Sequence, residues 1–102
     1  MPNLFQDIPL DLTEEQLETI TSGRSVRIER IVSNGHATPE DEWYDQDQNE
    51  WVLILKGRGD IEFEDGRSIR LRKGDHCLIS PHERHRVTHT DPHTLWLEVH
   101  FD

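Results

Sequence analysis

Residues Glu50 to Gly57 read EWVLILKG. Five apolar residues run without a break from Trp51 to Leu55. Such a run predicts a strand that is apolar on both faces and covered on both sides. Successive side chains of a strand alternate, so Glu50, Val52 and Ile54 share one face. That face turns Glu50 inward at the start of the strand. A carboxylate there needs a partner, because burying it alone is costly. Gly57 and Gly59 then bracket a tight corner, where only glycine tolerates the backbone.

The same period of two continues toward the C-terminus. Ile61 and Phe63 alternate with Glu62 and Glu64, and Asp65-Gly66 is a hairpin signal before Ile69 and Leu71. Lys73-Gly74-Asp75 marks another turn, followed by a short apolar strand from Cys77 to Ile79. His85, Val87 and His89 alternate with Arg86 and Thr88. In Thr94–Phe101, Leu95, Leu97, Val99 and Phe101 alternate with Trp96, Glu98 and His100. Toward the N-terminus, SVRIERIVS around Val26 to Val32 predicts a strand with an irregularity. About seven short strands with closely spaced turns indicate an all-β sandwich or barrel. Residues 1–23 read differently. Met1 to Leu12 is a lead, and Thr13 to Ser22 predicts one short helix. Thr13 and Gln16 supply a capping box, and Gly23 supplies the stop. The expected organisation is a lead and helix over 1–23, then one barrel domain over 24–102.

The chain has 102 residues, enough for one domain and one modest core. Leu, Ile, Val and Phe make up 26 of them, above the level of about a fifth that signals disorder. The net charge of −10 excludes the basic face that nucleic acid or an anionic membrane would need. No apolar run approaches the ~18 residues of a membrane span. Met1 to Leu10 is too short and too acidic for a secretion signal, and the single Cys77 allows no internal disulfide. A cytoplasmic protein is expected.

Histidine is the outlier: six of the seven lie between His76 and His100. His85 and His89 are four apart on a predicted strand, so both leave one face. Imidazole is the commonest metal ligand and a good general base at neutral pH. Two histidines with Glu50 would make a facial triad suited to Fe(II), and a fourth ligand would suit Zn²⁺ or another divalent ion. The loop from Glu40 to Glu50 holds six acids and no base. It reads either as a solvated charge run or as a rim, with Trp43 and Tyr44 as a lid or ligand platform. If Leu95, Leu97 and Val99 face inward, His100 lies on the surface, the orientation the apolar alternation favours. Burial of both faces would instead turn Trp96 and His100 into the site.

These residues resemble a small single-domain cupin. Glu50, six residues and Gly57 reproduce the ending of the first cupin motif, and Gly74-Asp75 through Pro81 to His85 follows the second. The resemblance spans Arg24 to Phe101. It implies a double-stranded β-helix or jelly-roll barrel, often dimeric, with Glu50 and His85 at two metal-ligand positions. The pair of histidines that precedes the first-motif glutamate is missing. Trp43 and Asp45, or Tyr44 and Gln46, stand in its place. Ser80 replaces the loop proline, His82 the loop glycine and His89 the closing asparagine. The expected shell is therefore Asp45, Glu50, His85 and His89, holding Fe, Mn, Ni or Zn. His36 is a further candidate, and Trp43, Tyr44, His36 and His100 are the candidate ligand contacts. The function expected is a homodimer that binds or acts on a small molecule at this ion. The alternative is a metal-free binding or structural dimer.

Overall fold

Two antiparallel sheets face each other and enclose the core. The structure is a computed structural model and describes residues 1–102. Its strands are β1 (Gln16–Gly23), β2 (Val26–Ser33), β3 (Asn49–Lys56), β4 (Arg58–Phe63), β5 (Ser68–Arg72), β6 (His76–Ile79), β7 (His85–Thr90) and β8 (Thr94–Phe101). One sheet has the order β1-β2-β8-β3-β6, the other β5-β4-β7. The seven strands from Val26 onward fall where the alternation predicts them. No helix is long and apolar enough to cross a membrane.

The predicted N-terminal helix is absent. Gln16–Gly23 is a strand that pairs with β2 along its length, from Gln16 opposite Val32 to Gly23 opposite Val26. Two physical causes override the capping signal. Thr19-Ile20-Thr21 is a run of β-branched residues, stiff in a helix and at ease in a strand. β2 would otherwise present an open edge of unpaired backbone groups. Gly23 is thus the last residue before the Arg24-Ser25 turn, with Ser25 at φ 60°, and not a helix stop. The lead crosses outside this hairpin, where buried Arg30 donates to the carbonyls of Leu4 (3.1 Å) and Gln6 (2.7 Å).

The core is one cluster, with Ile31, Val52 and Ile54 from the larger sheet, Ile61 and Phe63 from the smaller, and the indole of Trp96 between them. Both corner glycines are required. Gly57 adopts φ +87°, and a Cβ there would lie 2.8 Å from the Thr94 backbone. A Cβ on Gly59 would lie 2.2 Å from the Trp96 ring. The corner that carries the chain from one sheet to the other therefore also seats the indole that floors the interior. The indole Nε1 donates to Ser33 Oγ at 3.2 Å.

Candidate functional site

The larger sheet turns a row of polar side chains inward. His100 on β8 stands between Arg27 on β2 and Glu50 on β3. Two residues along, Glu98 stands between Glu29 and Val52, and two further, Trp96 stands between Ile31 and Ile54. The inner face thus grades from charged to apolar across three strands. Glu29, Glu50, Glu98, His85 and His100 are all buried. They line a cavity of about 230 Å³ between the sheets, with the half-exposed Tyr44 in its wall.

Glu50 is the hub. His85 Nε2 approaches its Oε1 at 3.5 Å, and Gln46 Nε2 donates to the same oxygen. The His85 Nδ1–H faces the Glu83 carbonyl at 2.9 Å, which leaves Nε2 as the nitrogen aimed at Glu50. His100 Nε2 meets Glu29 Oε1 at 2.9 Å and Glu98 Oε1 at 3.8 Å. Arg27 Nε pairs with the same Glu29 oxygen at 3.2 Å.

Protonation follows from these contacts. Burial pushes the Glu98 carboxyl well above the usual carboxylate range, and the hydrogen bond to Glu50 with its charge adds to the shift. Burial also pushes Glu50 upward, but hydrogen bonds from Glu98, His85 and Gln46 outweigh it and bring Glu50 down to about 2. The two acids therefore share one proton, held on the Glu98 side. Burial disfavours the charged imidazole of His85, yet the hydrogen bond to Glu50 wins and its pKa rises. Burial lifts the Cys77 thiol to about 11, with the charge of Glu50 adding to it, so no thiolate joins the donor set.

The sequence-predicted residues divide. Glu50 and His85 meet as described, and Tyr44 lines the cavity with its ring centroid 5.7 Å from that of His85. His100 faces inward, contrary to the apolar alternation, because both faces of β8 are covered. His89 does not share the face of His85. A bulge sets Thr88 between the Val87 and His89 pairings, which throws His89 outward onto Asp91 at 2.7 Å. Asp45 meets exposed His82 at 2.9 Å and is not among the partners of Glu50. His36 braces its own loop, with Nδ1 accepting from Asn34 N and Nε2 near the Thr13 carbonyl. Trp43 lies under the Arg86 guanidinium, 4.6 Å from ring centroid to Cζ. Sequence reasoning missed Glu29 and Glu98 as site residues. Their signal was the spacing Arg27-Glu29-Ile31 and Trp96-Glu98-His100, titratable and apolar side chains sharing one strand face.

Comparison with known proteins decides the family. The sequence profile of the cupin domain matches residues 29–100. The chain belongs to the cupin family. The barrel superposes on a "putative mannose-6-phosphate isomerase" from Ralstonia eutropha JMP134 with a TM-score of 0.96 and 40% identity, over 100% of this chain and 97% of that one. A cupin superfamily protein from Desulfitobacterium hafniense DCB-2 gives a TM-score of 0.79 at 17% identity, covering 92% of this chain and 83% of the other. An RmlC-like cupin from Desulfovibrio desulfuricans gives 0.81 at 14%, covering 99% and 94%. No curated protein sequence is detectably similar to the chain. Cupins commonly bind divalent metals, and three donors of this cupin, from Glu50, Glu98 and His100, lie within 4.8 Å of one another. Two carboxylates and an imidazole, with a second imidazole beside them, fit a hard or borderline divalent cation.

Proposed function

We propose that this cupin holds a divalent metal ion on Glu50, Glu98 and His100, with His85 beside them, and binds a small molecule at it. The observation that carries the reading is the convergence of Glu50, Glu98 and His100 within 4.8 Å in a buried cavity. When bound, the ion would polarise an oxygen of the ligand. Fe, Mn, Ni and Zn all suit the donors. Asp45 and His89, which the sequence also offered as ligands, stand outside this shell. Trp96 floors the ligand space, Tyr44 stands in its wall, and His85, held by the Glu83 carbonyl, is placed to accept or return a proton at Nε2.

The name of the Ralstonia relative points to a sugar phosphate. The cavity walls carry Glu15, Glu29, Glu50 and Glu98 against one permanent cation, Arg27. These acids disfavour a phosphate dianion wherever it does not meet the ion, whose two charges offset two of them, so we favour a neutral hydroxyl- or carbonyl-bearing ligand. The alternative of metal-free binding draws on the Glu50–Glu98 pair, which satisfies itself by sharing a proton.

The deciding experiment is metal content by plasma mass spectrometry on untagged protein purified without added metal. Beside it run Glu50→Ala, Glu98→Ala and His85→Ala, each checked for folding. About one ion per chain, lost in the Glu50 and Glu98 variants, is the expected result. No ion, even after reconstitution with Fe(II), Mn(II), Ni(II) and Zn(II), overturns the proposal and leaves the metal-free binding module.

A further inference from the structure

We infer that Glu29 on β2 is a ligand of this metal ion and that Arg27 competes with the ion for it. The inference rests on the metal reading above and extends it to a residue outside the Glu50, Glu98 and His100 group.

The argument is geometric. Around an octahedral ion with bonds of about 2.1 Å, neighbouring donor atoms stand about 3 Å apart, and around a tetrahedral ion a few tenths more. Glu29 Oε1 lies 2.9 Å from His100 Nε2, and His100 Nε2 lies 3.8 Å from Glu98 Oε1. The same His100 nitrogen therefore faces both acids; Glu29 stands outside the 4.8 Å set of Glu50, Glu98 and His100, so its carboxylate would have to turn toward an ion taken by Nε2 in order to join it. Glu29 is as deeply buried as Glu50, at 4% and 6% exposure. A buried carboxylate must have a cation or donors. Without a metal, Glu29 receives the His100 N–H and the Arg27 Nε at 3.2 Å. Both partners can leave. The imidazole gives up its proton to become a ligand, and the Arg27 side chain is 45% exposed and can turn to water. Glu29, Glu98 and His100 would then supply from β2 and β8 what the missing histidine pair does not.

A charge competitor and a ligand respond in opposite directions, which makes the proposal testable. The probe is Co(II), titrated into the folded full chain against a chelating indicator, with the visible d–d spectrum as a second readout. Glu29→Gln is expected to weaken binding by about 10- to 100-fold and to change the spectrum. Arg27→Gln, at a half-exposed position that should fold normally, is expected to tighten binding several-fold, because Glu29 loses its other cation. Glu29→Asp should recover part of the affinity. Unchanged affinity and spectrum in Glu29→Gln, or weaker binding in Arg27→Gln, would overturn the role of Glu29. Absence of Co(II) binding by the wild type would instead overturn the metal site itself, so the two failures are separable.

Discussion

Glu50 and Glu98 are two acids in one buried contact, and their proton sets the stability of the metal-free protein. Glu98 keeps a proton that the unfolded chain releases above its ordinary value of 4.5. A raised acid pKa makes the folded state bind more protons, so stability falls as pH climbs past that value. His85, raised from 6.5, stabilises below that value and loses its contribution as pH rises through the folded pKa. Both act in the same direction, so the metal-free protein should lose stability as pH rises above 4.5 and further as it rises past 6.5. Glu50, brought down to about 2, acts on the acid limb, where its stabilisation disappears as pH falls from 4.5 toward that value. Glu98→Gln replaces a proton-dependent donor by a permanent one. It should raise the midpoint of the metal-free protein near pH 8 by about 4–8 °C, for on the order of 1 kcal/mol. The same variant should bind metal at least about tenfold more weakly. Thermal melts and metal titration at two pH values check both; a loss of stability with intact affinity would contradict the shared-proton account.

At the scale of elements, the β3–β4 corner couples the fold to the cavity. Gly59 has no room for a methyl group beside the Trp96 ring, at 2.2 Å. Gly59→Ala should therefore push the indole off its seat at a cost of about 1–3 kcal/mol, the range for overpacking a filled core. Differential scanning fluorimetry should show the lower midpoint and intrinsic tryptophan emission the changed floor. An unchanged midpoint would mean that the corner yields freely. Element boundaries from Val26 onward were legible because alternation and turn chemistry are local. β1 was not, since its seven exposed positions of eight carry no inward-facing signal and its partner, β2, supplies the reason to extend. His89 was misplaced for a related cause: a bulge is set by the fit of β7 against β4, and the sequence of β7 alone is silent about it.

For the whole molecule, the outer face of the five-stranded sheet is the unbalanced feature. Trp51 and Leu53 are half-buried there, Val26 and Leu78 exposed, within a chain of net charge −10. Apolar groups on a two-sided strand favour a second copy of the sheet, and the expected state is a homodimer across this face. Light scattering after size exclusion should give twice the monomer mass, and Leu78→Asp should return the monomer with the cavity residues undisturbed. A monomeric wild type would remove the dimer from the account and leave that face as ordinary surface.

Alternation, turns and the Glu50–Gly57 stretch determined by themselves an all-β sandwich or barrel from Val26 onward, with Glu50 at the start of a two-faced strand. That information is local, because a strand's period and a glycine corner are written in neighbouring residues. Which face of β8 is the inner one, which way His89 points and what Glu50 meets were decided only in the tertiary structure. An alternating strand offers two faces, and only packing against the opposite sheet chooses between them. Glu29, Glu50 and Glu98 lie 21 and 48 residues apart along the chain, yet β8 seats itself between β2 and β3 and brings them to one wall.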